Sequence, residues 1–151
     1  RSQNRLLAAL PREIYDRLQP HLELVPLELG ASIYESGGVQ PYVYFPTDSI
    51  VSLLYVMADG ASAEIAVVGN EGLVGISLLM GGESTPSRAV VQSAGHGYRL
   101  RASISKREFS LGGQLQQLAL RFTQALITQT ASSSDTLRRT QSEGGDHTSM
   151  P

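Results

Sequence analysis

The stretch Ile50-Val51-Ser52-Leu53-Leu54-Tyr55-Val56-Met57 runs into Asp59-Gly60 and then into Ala61 to Val68. The first run is almost wholly apolar and rich in β-favouring residues, so it reads as a strand buried on both faces. Asp59 and Gly60 both tolerate positive φ, and the pair reads as the turn of a hairpin. Ala61 to Val68 is then the returning strand.

Outward from this hairpin the same short rhythm continues. Upstream, His21 to Leu29 has apolar residues at alternate positions, the period of a strand, and Gly30 breaks it. Ala31 to Glu35 is a second strand, Ser36-Gly37-Gly38 a turn, Tyr42 to Phe45 a third strand and Pro46-Thr47-Asp48 another turn. Tyr42, Tyr44, Phe45 and Tyr55 read as sheet packing. Downstream, Gly69 to Gly72 is a loop, and Leu73 to Met80, apolar around Gly75, reads as a short helical turn. After a loop over Gly81 to Pro86, Arg88 to Ser93 and Tyr98 to Ala102 are strands joined by a turn at Gly95-His96-Gly97. So many short strands predict a mainly β domain with flanking helices, a double-stranded β-helix (jelly roll) or barrel, because closure removes exposed sheet edges.

Helices flank the strands. Leu6, Leu7 and Leu10 lie on one helical face, and Pro11 opens a second helix carrying Ile14, Tyr15 and Leu18, which Pro20 ends. Ser103 is placed to cap a helix over Ile104 to Ser110. Beginning just before Gly112-Gly113, Leu111, Leu115, Leu118, Phe122 and Ala125 recur three and four apart, an a/d seam. Leu120, Leu126 and Ile127 widen it. The seam predicts a dimerisation helix over 111–131, with packing against the chain's own strands as the other use of the stripe. The organisation is then a helical segment over 1–20, the β-roll over 21–110, the dimerisation helix, and a polar tail over 132–151 that reads as disordered.

Composition removes several function classes. The chain lacks cysteine, so disulfides, thiolate metal sites and a cysteine nucleophile are out. Its net charge of -2, with basic doublets only at Lys106-Arg107 and Arg138-Arg139, offers no basic face for nucleic acid. No run approaches a membrane span, and a cytoplasmic location is the default expectation. His21, His96 and His147 lie too far apart in the pattern for a cupin-type metal site. Gly75-Ile76-Ser77-Leu78-Leu79 lacks the second glycine of a nucleophile elbow. The expectation is a protein that is not an enzyme and holds no metal.

Four stretches carry a resemblance: Val43-Tyr44-Phe45-Pro46, Ala63 to Gly72, Gly75-Ile76, and Thr85-Pro86-Ser87-Arg88-Ala89-Val90-Val91-Gln92. In sequence and order they resemble the sensor half of Crp/Fnr-type bacterial transcription regulators, over about residues 4 to 130. The resemblance implies a β-roll of the cyclic-nucleotide-binding type, a homodimer through the long helix, and a role in transcription regulation. Family members usually continue into a helix-turn-helix domain. The residues after the long helix are too few and too polar for one, so direct DNA binding by this chain is not expected. A shortened chain, a frameshifted gene and a stand-alone sensor all fit.

The resemblance also implies a ligand site. In the family a glycine precedes a short helix whose N–H groups meet the cyclic phosphate, a glutamate beside it accepts from the ribose, and a strand arginine pairs with the phosphate. Gly75 fits the glycine, whereas Ile76 stands at the glutamate's place and cannot accept a hydrogen bond. The family order of arginine, serine or threonine, alanine is here Ser87, Arg88, Ala89. If Ala89 keeps its register, Ser87 takes the inward slot and Arg88 turns to the other face. Gly75, Ile76, Ser87, Arg88, Ala89 and Glu64 are therefore the candidate ligand-binding residues, with Glu71 a further polar candidate. The effector is a cyclic nucleotide, bound weakly for want of that glutamate, or another small molecule. The alternative is a ligand-free dimerisation or protein-interaction module on the same fold.

Overall fold

The computed structural model describes residues 3–35, 41–76 and 87–125. The turn at Ser36-Gly37-Gly38, the helical turn beyond Ile76, the loop Gly81 to Pro86, the end of the long helix with Leu126 and Ile127, and the tail lie outside them.

Two short helices, α1 (Arg5–Ala8) and α2 (Arg12–Leu18), lead through a 3-10 turn at Gln19–His21 into the strands. These are β1 (Glu23–Leu27), β2 (Ser32–Tyr34), β3 (Tyr42–Pro46), β4 (Ile50–Val56), β5 (Ser62–Val68), β6 (Ser87–Ser93) and β7 (Gly95–Arg101). Helix α3 (Ala102–Ser110) follows, and residues 114–125 form a further helix, α4. The strands make two antiparallel sheets, ordered β1-β7-β3 and β2-β6-β4-β5. Val43, Phe45 and Leu100 from the first sheet meet Val51, Leu53, Ala66, Val68 and Ala89 from the second in one core. Leu6, Leu7, Leu10, Ile14 and Leu18 from the N-terminal helices join that core, as do Leu115, Ala119 and Phe122 from α4. The fold is the expected mainly β roll with flanking helices.

The hairpin at Asp59-Gly60 closes with the Met57 N–H donating to the Ala61 carbonyl at 2.8 Å. Its first strand is buried on both faces only over Val51, Ser52 and Leu53; Ile50 and Tyr55, near opposite ends of the strand, are exposed. Strand β1 is shorter than the alternation suggested. A 3-10 turn takes up His21, and Leu24 and Leu29 stay exposed.

Two local expectations fail. Gly95, His96 and Gly97 are part of β7, not a turn: His96 pairs with Pro26, and Gly97 sits under Leu27, whose Cδ1 would lie 3.0 Å from an added Cβ. Helix α3 begins at Ala102 rather than after Ser103. The Ala102 N–H is already bound to the Pro41 carbonyl at 2.8 Å, and the cap position falls to Arg101 without a side-chain cap.

Candidate ligand site at the mouth of the roll

Strand register decides which side chains can share a site, since directly paired residues lie on one face of a sheet. Across the second sheet Ala66, Leu53 and Ala89 are paired and buried. Two residues further along β4, Tyr55 pairs with Ala63 on one side and Ser87 on the other. Ser87 and Ala89 therefore share the core-facing side with Tyr55. Tyr34 pairs with Ala89 after an irregularity in β2, and its hydroxyl is hydrogen-bonded to Ser87. Burial pushes the Tyr34 phenol up, against the weaker opposing pull of that hydrogen bond, and keeps it neutral.

The opposite face holds the charges. Leu54 pairs with Glu64 and Arg88, which puts both on the outer side. Arg88 Nε lies 3.2 Å from Glu35 Oε1, at ion-pair distance, although its buried N–H is not aimed for a hydrogen bond. The Ser32 hydroxyl, with help from the Arg88 guanidinium, holds the Glu35 carboxyl below the usual carboxylate range. Ser52 Oγ is 2.5 Å from Glu64 Oε2 and 2.9 Å from Gln92 Oε1. The candidate residues thus fall into two groups: Ser87 and Ala89 inside, Arg88 and Glu64 outside.

Gly75 and Ile76 belong to a third element, the segment that leaves β5. Val74 exchanges both backbone hydrogen bonds with Tyr44, at 2.8 and 3.0 Å, so this segment runs along β3 and not in the helix expected from Leu73. Gly75 then has φ 107°, a conformation that favours glycine, and helix starts at Ile76, whose side chain packs against the core. Glu71 turns back on its own loop, accepting from the Gly69 N–H at 3.2 Å.

The segment is gripped from two sides. Asn4, fully buried, donates from Nδ2 to the Pro46 and Gly72 carbonyls, both at 2.8 Å, while its Oδ1 accepts from the Leu7 N–H at 3.0 Å. The Phe122 ring of α4 lies over Gly72 so closely that an added Cβ would sit 2.0 Å from it.

The seam of α4 is divided. Leu115 and Phe122, at 2% and 8% exposure, are spent on the chain's own core and have no surface left for a partner. Leu118 packs partly on that core, while Leu111 and Leu120 are 65% and 44% exposed and Ala125 is exposed. The expected interface through Leu115 and Phe122 is corrected accordingly. Tyr55, read as packing, is 47% exposed on the core-facing side of β4. Tyr34 was not singled out by the sequence, because an irregularity between Ser32 and Tyr34 sets its pairing. Among the described residues there is no cluster of metal-ligating side chains, and no helix is long and apolar enough to cross a membrane.

No family model and no curated protein matches the chain. Solved structures do. The N-terminal domain of a transcriptional regulator from Streptomyces coelicolor A3(2) is 21% identical, covering 95% of this chain and 94% of that one, with a TM-score of 0.56. The sensor domain of the transcriptional regulator DNR from Pseudomonas aeruginosa is 14% identical over 91% of this chain and 84% of its own, at 0.57. The regulatory subunit of a cAMP-independent protein kinase A from Trypanosoma brucei is 18% identical over 80% of this chain, at 0.67, and this chain spans only 43% of it. The chain shares the fold of these structures, a mainly β roll of two antiparallel sheets with flanking helices.

Proposed function

We propose that the chain is a non-catalytic, cytoplasmic sensor domain of a transcription regulator, which binds a small ligand at the mouth of the roll and reports its occupancy to α4. The observation that carries this reading is the placement of the segment at residues 72–76. It presents Gly75 and Ile76 and is pressed, at Gly72, against Phe122 of α4. A ligand that favours one position of this segment favours one position of the helix, which is the differential binding that coupling requires.

A cyclic nucleotide is a poor fit. Ile76 offers no acceptor to a ribose hydroxyl, a loss of about 1–3 kcal/mol or roughly ten- to hundredfold in affinity. Arg88, the strand cation, is engaged with Glu35 on the other face. The trypanosome subunit gives a parallel: it is described as cAMP-independent, and a form solved with cAMP carries three substitutions, one of them threonine to arginine.

The test is a thermal-shift screen of nucleotides and small metabolites on the full chain, followed by NMR of the Phe122 ring. A stabilising compound that also moves the Phe122 resonances is the expected result. Stabilisation with an unmoved Phe122 refutes the coupling. No stabilising compound favours the second reading, a ligand-free interaction module, for which the exposed Leu111 and Leu120 speak.

A further inference from the structure

The charge pattern of the second sheet goes further than the presence of a site. Strands β2, β4, β5 and β6 together carry one cation, Arg88, and one carboxylate, Glu64. Both lie on the outer face. The core-facing side is uncharged along its whole length. Toward the core it is lined by Val51, Leu53, Ala66, Val68, Ala89 and Val91, and beyond Leu53 it carries two phenols and a hydroxyl: Tyr34, Tyr55 and Ser87.

We infer that this mouth takes an uncharged ligand with a flat apolar body and a hydrogen-bonding group, the body lying on Tyr55 and the polar group meeting the Tyr34–Ser87 pair. The inference rests on the sensor reading above. An anion brought to this face leaves water without a counter-charge, which is costly. Turning Arg88 inward would flip the strand's side chains, putting the fully buried Ala89 outside and Val90 inside, and would take the cation away from Glu35. A neutral ligand meets neither penalty. Tyr34 and Ser87 are hydrogen-bonded to each other, which sets two hydroxyl groups side by side on this face. Tyr55 is the half-exposed aromatic surface that such a ligand would cover.

Calorimetry on the full chain with matched probes tests this: uncharged nucleosides and aromatic amides against cAMP, cGMP and inorganic phosphate. At least one uncharged probe is expected to bind tenfold or more tightly than any anionic one. Ser87→Arg should weaken that probe at least tenfold and strengthen cAMP, reversing the order. Tyr55→Ala, at an exposed position that leaves folding intact, should weaken the uncharged probe several-fold even where Ser87→Arg fails to fold. An anionic probe bound most tightly by the unaltered chain overturns the inference and leaves the sensor reading standing. Binding indifferent to both substitutions overturns the assignment to this mouth. No binding by any probe counts against the inference and the sensor reading together.

Discussion

Asn4 shows how much one small polar side chain can hold. It is fully buried, and its side chain bonds to backbone groups of three different segments, at Leu7, Pro46 and Gly72. Removing it leaves the Pro46 and Gly72 carbonyls and the Leu7 N–H without these partners. Asn4→Ala is therefore expected to cost about 1–3 kcal/mol in urea unfolding, while Arg12→Ala, on an exposed helix-surface pair with Asp16, should cost almost nothing. Gly72 is the counterpart on the steric side. Gly72→Ala must displace the Phe122 ring, and a destabilisation of about 1–3 kcal/mol by overpacking is expected from the same measurement. Pairing it with Phe122→Leu should relieve part of that cost. Ser52 carries one hydroxyl proton and has two oxygen neighbours, Glu64 Oε2 and Gln92 Oε1. One proton cannot serve both, so with the Gln92 amide turned over the chain of donation runs from Gln92 to Ser52 to Glu64.

Among the elements, α2 and α3 are tied by a two-pronged ion pair. Arg17 Nε and Nη2 donate to the two Glu108 oxygens at 2.9 and 3.1 Å, with the Glu108 side chain almost fully covered. The Arg17 hydrogen bond holds the Glu108 carboxyl below its usual range, against the opposing effect of burial. A carboxyl depressed in the folded state contributes stability that is present above its unfolded pKa of about 4.3 and is lost as pH falls through the lower folded value. The stability advantage of the native chain over Glu108→Gln should accordingly be largest at neutral pH and shrink through that acid window. Equal gaps at neutral and acid pH would show that the pair contributes nothing through its charge. The strands themselves were readable from period two and from their glycine and proline stops, and the hairpin from Asp59-Gly60. What escaped were features set by distant partners. The start of α3 depends on a bond to Pro41, and the glycines of β7 on contact with Leu27. The faces of Ser87 and Arg88 could be stated as a conditional, and the buried pairing of Ala89 with Leu53 supplied the missing condition.

The described residues share a core fed by both sheets and by the helices at either end. That shared core explains why the α4 stripe was readable but its use was not: a leucine seam looks alike whether it faces a sheet or a second subunit. Leu111, Leu120 and Ala125 are its exposed members. Light scattering should return a dimer mass that Leu111→Glu with Leu120→Glu reduces to monomer; a monomer mass at every concentration in the unaltered chain would remove dimerisation from the account. The anchoring of the N-terminal turn has a practical corollary. Because Asn4 bonds directly to the loop that delivers Gly75, clipping off the first four residues, or fusing a bulky tag against them, would act as a lesion in the candidate site itself. Amide hydrogen exchange should then quicken at Leu73 and Val74, far along the sequence from the cut.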